Sequence, residues 1–66
     1  MLKVTFDDPV KQSDFDTLYA QAKNADEDDD IEILTVLQRK IDRLLNPDGT
    51  LYICWHGADF EIKETQ

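Results

Sequence analysis

Fifteen Asp and Glu against seven Lys and Arg give this 66-residue chain a formal net charge of −8, which argues against direct phosphate binding and against anionic membrane surfaces, both served by clustered bases. At about 60 residues a domain buries only roughly 60% of the surface its unfolded chain exposes, and a single Cys with a single His can supply neither an intramolecular disulfide nor a zinc site. Oligomerisation or a basic protein partner is therefore the expected source of further stability.

The first residues alternate, with Leu2, Val4 and Phe6 on one side and Lys3, Thr5 and Asp7 on the other. Period two predicts a strand with one buried face. Pro9, lacking an N–H, ends it. Ser13 then reads as a helix N-cap, with Asp14 and Asp16 where the macrodipole favours negative charge; a start at Asp8, with Pro9 in the first turn, is the alternative. Phe15, Leu18, Tyr19 and Ala22 follow at helical spacing, and the helix is expected to end around Asn24.

Five consecutive acids, Asp26, Glu27, Asp28, Asp29 and Asp30, lead into a second periodic segment. Leu34, Leu37, Ile41, Leu44 and Leu45 recur at helical spacing, with Ile33 on the rim and Arg39, Lys40 and Arg43 in the second half. Asp29 with Glu32 resembles a capping box. The β-branched stretch 31–37 also suits a strand, but the period continues through Leu45 and favours a helix. Asn46-Pro47-Asp48-Gly49 has type I turn chemistry. Leu51, Ile53 and Trp55 then alternate with Tyr52, Cys54 and His56, Gly57-Ala58-Asp59 breaks the run, and Phe60 and Ile62 alternate with Glu61 and Lys63, a hairpin pattern.

The expected fold class is therefore α+β, a single small β-α-α-β-β domain over residues 1–66. Two helices pack on one face of a three-stranded, mostly antiparallel sheet. Leu2, Val4, Phe6, Leu51, Ile53, Trp55, Phe60 and Ile62 supply the sheet side of the core. Lys3, Thr5, Tyr52, Cys54, His56, Glu61 and Lys63 form the opposite face. At 41% hydrophobic residues, patterned rather than scattered, the chain is read as folded.

Residues 7–32 hold ten acids and two bases, which by themselves account for the whole net charge of −8. Capping and the helix dipole reward only a few carboxylates, at about 0.3–1 kcal/mol each. The surplus repels itself, which suggests a use outside the molecule. A calcium loop starting at Asp26 fails, because its sixth position is Ile31 rather than Gly and its twelfth is Leu37 rather than Glu. Cys54 and His56 share a strand face about 6.5–7 Å apart, too far for an activated nucleophile, and no oxyanion donor accompanies them. Neither a catalytic group, a metal site nor a cofactor is expected. Tyr52 is a candidate contact anchor, since aromatics are enriched at interface hot spots.

The expectation is a non-enzymatic inhibitor whose acids Asp26, Glu27, Asp28, Asp29 and Asp30, supported by Asp14, Asp16 and Tyr52, occupy the basic surface of a nucleic-acid-binding effector or nuclease. In size, acidity and α/β layout the chain resembles the small acidic proteins that bacteriophages make against host defence: anti-CRISPR proteins, anti-restriction proteins and uracil-DNA glycosylase inhibitors. That likeness rests on no shared motif and transfers no residue. The alternative is an assembly or homodimerisation module, or an immunity or antitoxin-type protein, using the Tyr52/Cys54/His56 face with acidity serving solubility. Met1 leads straight into the alternating segment without a secretion signal, and a lone thiol suits a reducing compartment, so a cytoplasmic location is expected.

Overall fold

Helix α1 begins earlier than Ser13 and runs over Pro9–Glu27. Pro9 brings a helix-ready φ to the first turn, and the carboxylate of Asp8 accepts from the Val10 N–H at 2.9 Å. With that cap in place, Ser13 lies within the helix. A computed structural model describes residues 4–63 of the chain. In it α1 is followed by helix α2 (Ile31–Leu45), strand β1 (Tyr52–His56) and strand β2 (Asp59–Lys63). The order is α-α-β-β, and the sheet has two strands, not three.

The expected first strand is corrected accordingly. Leu2 and Lys3 lie outside the described residues, and residues 4–6 pair with no strand among those described. Their backbone is taken up instead by the side chain of Gln12 on α1. Its Oε1 accepts from the Phe6 N–H at 2.8 Å, and its Nε2 donates to the Val4 carbonyl at 3.2 Å. The amide thus stands in for a neighbouring strand. The alternation keeps its meaning for burial, since Val4 and Phe6 pack against the core while Thr5 is exposed.

The second periodic segment is helical, with Leu34, Leu37 and Ile41 buried along one stripe. Its N-cap is Asp30 rather than Asp29, the Asp30 side chain accepting from the Ile33 N–H at 3.3 Å. The turn after it closes with the Gly49 N–H donating to the Asn46 carbonyl at 3.2 Å, and Gly49 takes a positive φ of 72°. Asn46 also clasps Leu51, donating to its carbonyl at 2.8 Å and accepting from its N–H at 2.9 Å. That clasp aims the chain into β1.

The hairpin is antiparallel, with Ile53 opposite Ile62 and Trp55 opposite Phe60 on one face, and Tyr52 opposite Lys63 and Cys54 opposite Glu61 on the other. Gly57 at φ 63° and Ala58, which is not at positive φ, join the strands; this is the type II′ pattern, with Gly at the first central position. Phe15, Ala22, Ala25, Leu34, Leu37, Ile41, Ala58 and Phe60 form the buried cluster. The hairpin therefore docks by its turn end, and its far end stays open, with Leu51 and Ile62 each 41% exposed. Those two residues, expected in the core, are half out of it because no third strand among the described residues covers that end.

An added Cβ at Gly57 would lie 3.0 Å from Asp26 Oδ1 and in a disfavoured backbone region, whereas at Gly49 it would meet nothing within 4 Å. Gly57→Ala is expected to lower stability by about 1–2 kcal/mol, equivalent to roughly 4–8 °C in Tm per kcal/mol for a domain of this size. Gly49→Ala is expected to cost less. Thermal melts followed by circular dichroism compare the two, and equal or absent effects refute the assignment of Gly57 as the docked turn.

Candidate functional site: the acidic turn between the helices

The acidic run makes the connection between α1 and α2. Asp26 and Glu27 form the last turn of α1, which continues past the expected end at Asn24. Asp28 is its C-cap and Asp29 adopts a left-handed φ of 55°. The Asp29 N–H donates to the Asp26 carbonyl at 3.2 Å and the Asp30 N–H to the Ala25 carbonyl at 2.9 Å. These two bonds are the Schellman closure, in which the left-handed residue is usually Gly. Asp30 then caps α2. One short turn thus ends a helix, begins another and carries five carboxylates, of which Asp26 to Asp29 are exposed and Asp30 is half-buried.

Among the described residues the one ion pair is Lys23–Asp59, so none of the five tip acids is matched by a base at close range. Asp26 sits against the hairpin turn through its contact with Gly57. Gln38 holds the same turn from α2, donating to the Gly57 carbonyl at 2.6 Å. The tip is thereby braced on both sides by the hairpin it adjoins.

The other expected contact residues do not join it. Asp14 and Asp16 lie toward the opposite end of α1, roughly 15–20 Å away at 1.5 Å of rise per residue. Asp14 lines a groove with Lys40 and Arg43, and Asp16 accepts from Gln12 Nε2 at 3.0 Å. Tyr52 is 56% exposed but opens β1, about 16 Å along the strand from the turn that touches Asp26. Cys54 and His56 face the same side of the sheet as Tyr52, Cys54 half-buried and His56 exposed. Among the described residues no group of three or more His, Cys, Asp or Glu side chains is arranged to hold a metal ion, and no helix is long and apolar enough to cross a membrane.

A polar clasp beside the tip was not foreseen. Tyr19 Oη and Lys23 Nζ both donate to Asp59 Oδ1, each at 2.8 Å, and Lys23 lies 5.4 Å from the Tyr19 ring centroid. The bond from Lys23, then that from Tyr19, holds the Asp59 carboxyl below its ordinary range. Burial first, and the bond to Asp59 second, raises the Tyr19 phenol. The bond to Asp59 likewise raises the Lys23 ammonium. Residues 19 and 59 are forty apart in sequence, and no local pattern announces such a pairing.

No protein-family model, curated protein or solved structure matches this chain.

Two outcomes test the site. Asp29→Gly relieves a left-handed conformation that side chains resist by about 1–2 kcal/mol and removes one repelling charge. It is expected to raise Tm, and a lowered Tm contradicts the closure described. A carboxyl with a lowered folded pKa adds stability above its unfolded value near 3.9 and loses it as pH falls through the folded value. The stability difference between the native chain and Asp59→Asn is therefore full above about pH 5 and closes below about pH 4. A difference in melting that stays constant from about pH 7 to pH 2 counts against the clasp.

Proposed function

We propose that this protein is a non-enzymatic inhibitor whose acidic tip occupies the basic, nucleic-acid-binding surface of a target protein. The observation that carries the proposal is the unmatched charge of Asp26, Glu27, Asp28, Asp29 and Asp30 gathered on one turn. Folding uses few of these charges. Asp30 caps α2, and the remaining carboxylates repel one another. Asp29 even occupies a left-handed position that Gly would take with less strain. Stability alone gives no reason to place carboxylates there, whereas a basic partner does.

Duplex DNA presents one negative charge per about 1.7 Å of its axis. Consecutive acids across a helix end and a tight turn offer charge at a comparable spacing, with a helix rising about 1.5 Å per residue. Such a cluster also speeds encounter with an opposite patch. The target expected on this reading is a basic effector or nuclease, and the setting is that of phage or mobile-element proteins directed against host defence, acting in the cytoplasm. Asp14, Asp16 and Tyr52 are too distant to share a small contact with the tip and are assigned no part in it.

A second reading, an assembly or immunity-type module using the Tyr52/Cys54/His56 face, is favoured by the exposure of Tyr52 (56%) beside two strands that have no third neighbour among the described residues.

Capture of the target from host lysate, compared between the native chain and a tip-neutralised variant, separates the readings. Asp26→Asn, Glu27→Gln, Asp28→Asn, Asp29→Asn and Asp30→Asn together change the net charge from −8 by five units, while Asn preserves the cap at position 30 and tolerates the left-handed site at 29. Binding is expected to be lost in the variant, to weaken steeply between about 50 and 200 mM salt, and to be competed by duplex DNA. Binding indifferent to salt and to the five substitutions overturns the inhibitor reading and favours the sheet face.

A further inference from the structure

The exposed face of α2 is charged in opposite senses at its two ends. Glu32 lies in its first turn, and Arg39, Lys40 and Arg43 lie in its second half, all four exposed. Between them Val36 stands 51% exposed on the side away from the buried stripe Leu34, Leu37 and Ile41, and Ile33, 52% exposed, lies on the rim of that stripe. No base of this face is ion-paired within the described residues. Beside it, Leu18 of α1 and Leu44 of α2 line an open groove of about 470 Å³ together with Asp14, Lys40 and Arg43.

This distribution is self-complementary about a two-fold axis at Val36. Glu32 and Lys40 are four residues to either side of it, about 6 Å along the helix. Rotating a second copy about that axis lays α2 antiparallel on α2. Val36 then meets Val36, Glu32 of each copy faces Lys40 of the other, and the stem of the exposed Arg39 lies over Ile33. An isologous contact requires this reciprocity. A standard interface removes about 800 Å² from each partner, roughly a sixth of the 5065 Å² that one copy exposes.

We propose that the chain forms a two-fold homodimer through the antiparallel pairing of the exposed α2 faces, centred on Val36. Pairing there covers Ile33 and Val36, adds apolar burial to a chain too short to bury much alone, and sets each basic half-helix against an acidic one. It leaves Asp26 and Glu27, which belong to α1, at the two ends of the assembly, available for the role proposed above. The hairpins lie on the outside and take no part.

Sedimentation velocity of the full chain at about 100 µM, a hundredfold above a micromolar Kd, is expected to show a species of twice the 7.7 kDa chain mass. Val36→Glu sets two carboxylates against each other at the axis and is expected to weaken association by at least about a hundredfold. Circular dichroism is expected to be unchanged, because Val36 is exposed. Glu32→Lys and Lys40→Glu are each expected to weaken it about tenfold, and the double variant, which exchanges the two charges, to recover the native affinity. A monomeric native chain, a dimer indifferent to Val36→Glu as one formed by strand edges would be, or a double variant no better than the singles overturns the proposal.

Discussion

Phe60 is the residue on which the tertiary structure depends. Its ring lies 4.9 Å from that of Trp55, its cross-strand neighbour, and 6.2 Å edge-on from both Phe15 and Tyr19 of α1. Phe15 passes the contact on to Phe6, at 5.7 Å, and so to the N-terminal segment. A two-stranded hairpin is marginal by itself in water, and this one contributes only Ala58 and Phe60 to the fully buried set. Aromatic pairs add roughly 0.5–1.5 kcal/mol each beyond the area they bury, so a ring that joins three of them carries much of what keeps the hairpin on the helices. The polar contacts of the turn (Gln38 to Gly57, Tyr19 and Lys23 to Asp59) tie the hairpin to both helices as well.

The same docking shapes the acidic tip. The connection between the helices is short because the Schellman closure ends α1 and Asp30 starts α2 almost at once. Ala25, three residues before Asp28, is buried against the core, and Asp26 rests on Gly57. The turn cannot straighten without exposing Ala25 and releasing the hairpin. Five carboxylates that would spread apart in a loose loop are therefore held together at a cost in mutual repulsion. A rigid charged surface meets its partner with less ordering entropy to lose than a flexible one, which is the physical advantage of building it on a helix–helix turn.

Charge in this protein is arranged by region and by direction. Across the chain it concentrates at one end of the helical pair; along α2 it runs from acid to base. The second pattern also suits the helix dipole, so one sequence gradient serves α2 internally and makes its outer face complementary to itself. The tip and the α2 face adjoin, and the partners proposed for them differ, one basic and foreign, the other identical.

Much of this was legible from residue order, because the information was local. The period of Leu34, Leu37 and Ile41 placed α2 and its buried stripe, Asn46-Pro47-Asp48-Gly49 placed the turn, and the alternation around Gly57 placed the hairpin, though its register came from the structure, where Asp59 belongs to β2 opposite His56 rather than to the break. The run Asp26–Asp30 marked the charged site without help from the fold. Other features needed three dimensions. Alternation in Val4 and Phe6 states which side chains are buried but not what the backbone pairs with, and the Gln12 amide answered that instead of a strand. Two cap signals, Asp8-Pro9 and Ser13, competed, and the start at Asp8 is the one that puts Gln12 on the helix, where it bonds the Val4 and Phe6 backbone. Asp14, Asp16 and Tyr52 share with the tip a charge or a type, yet helix rise and strand length separate them by more than a small contact spans. Residue order by itself determined the elements and the acidic tip, through periodicity and capping that act within a few residues. Only the tertiary structure decided the sheet's two strands, the Asp59 clasp and which acids stand together, because each depends on contacts between residues far apart in the chain.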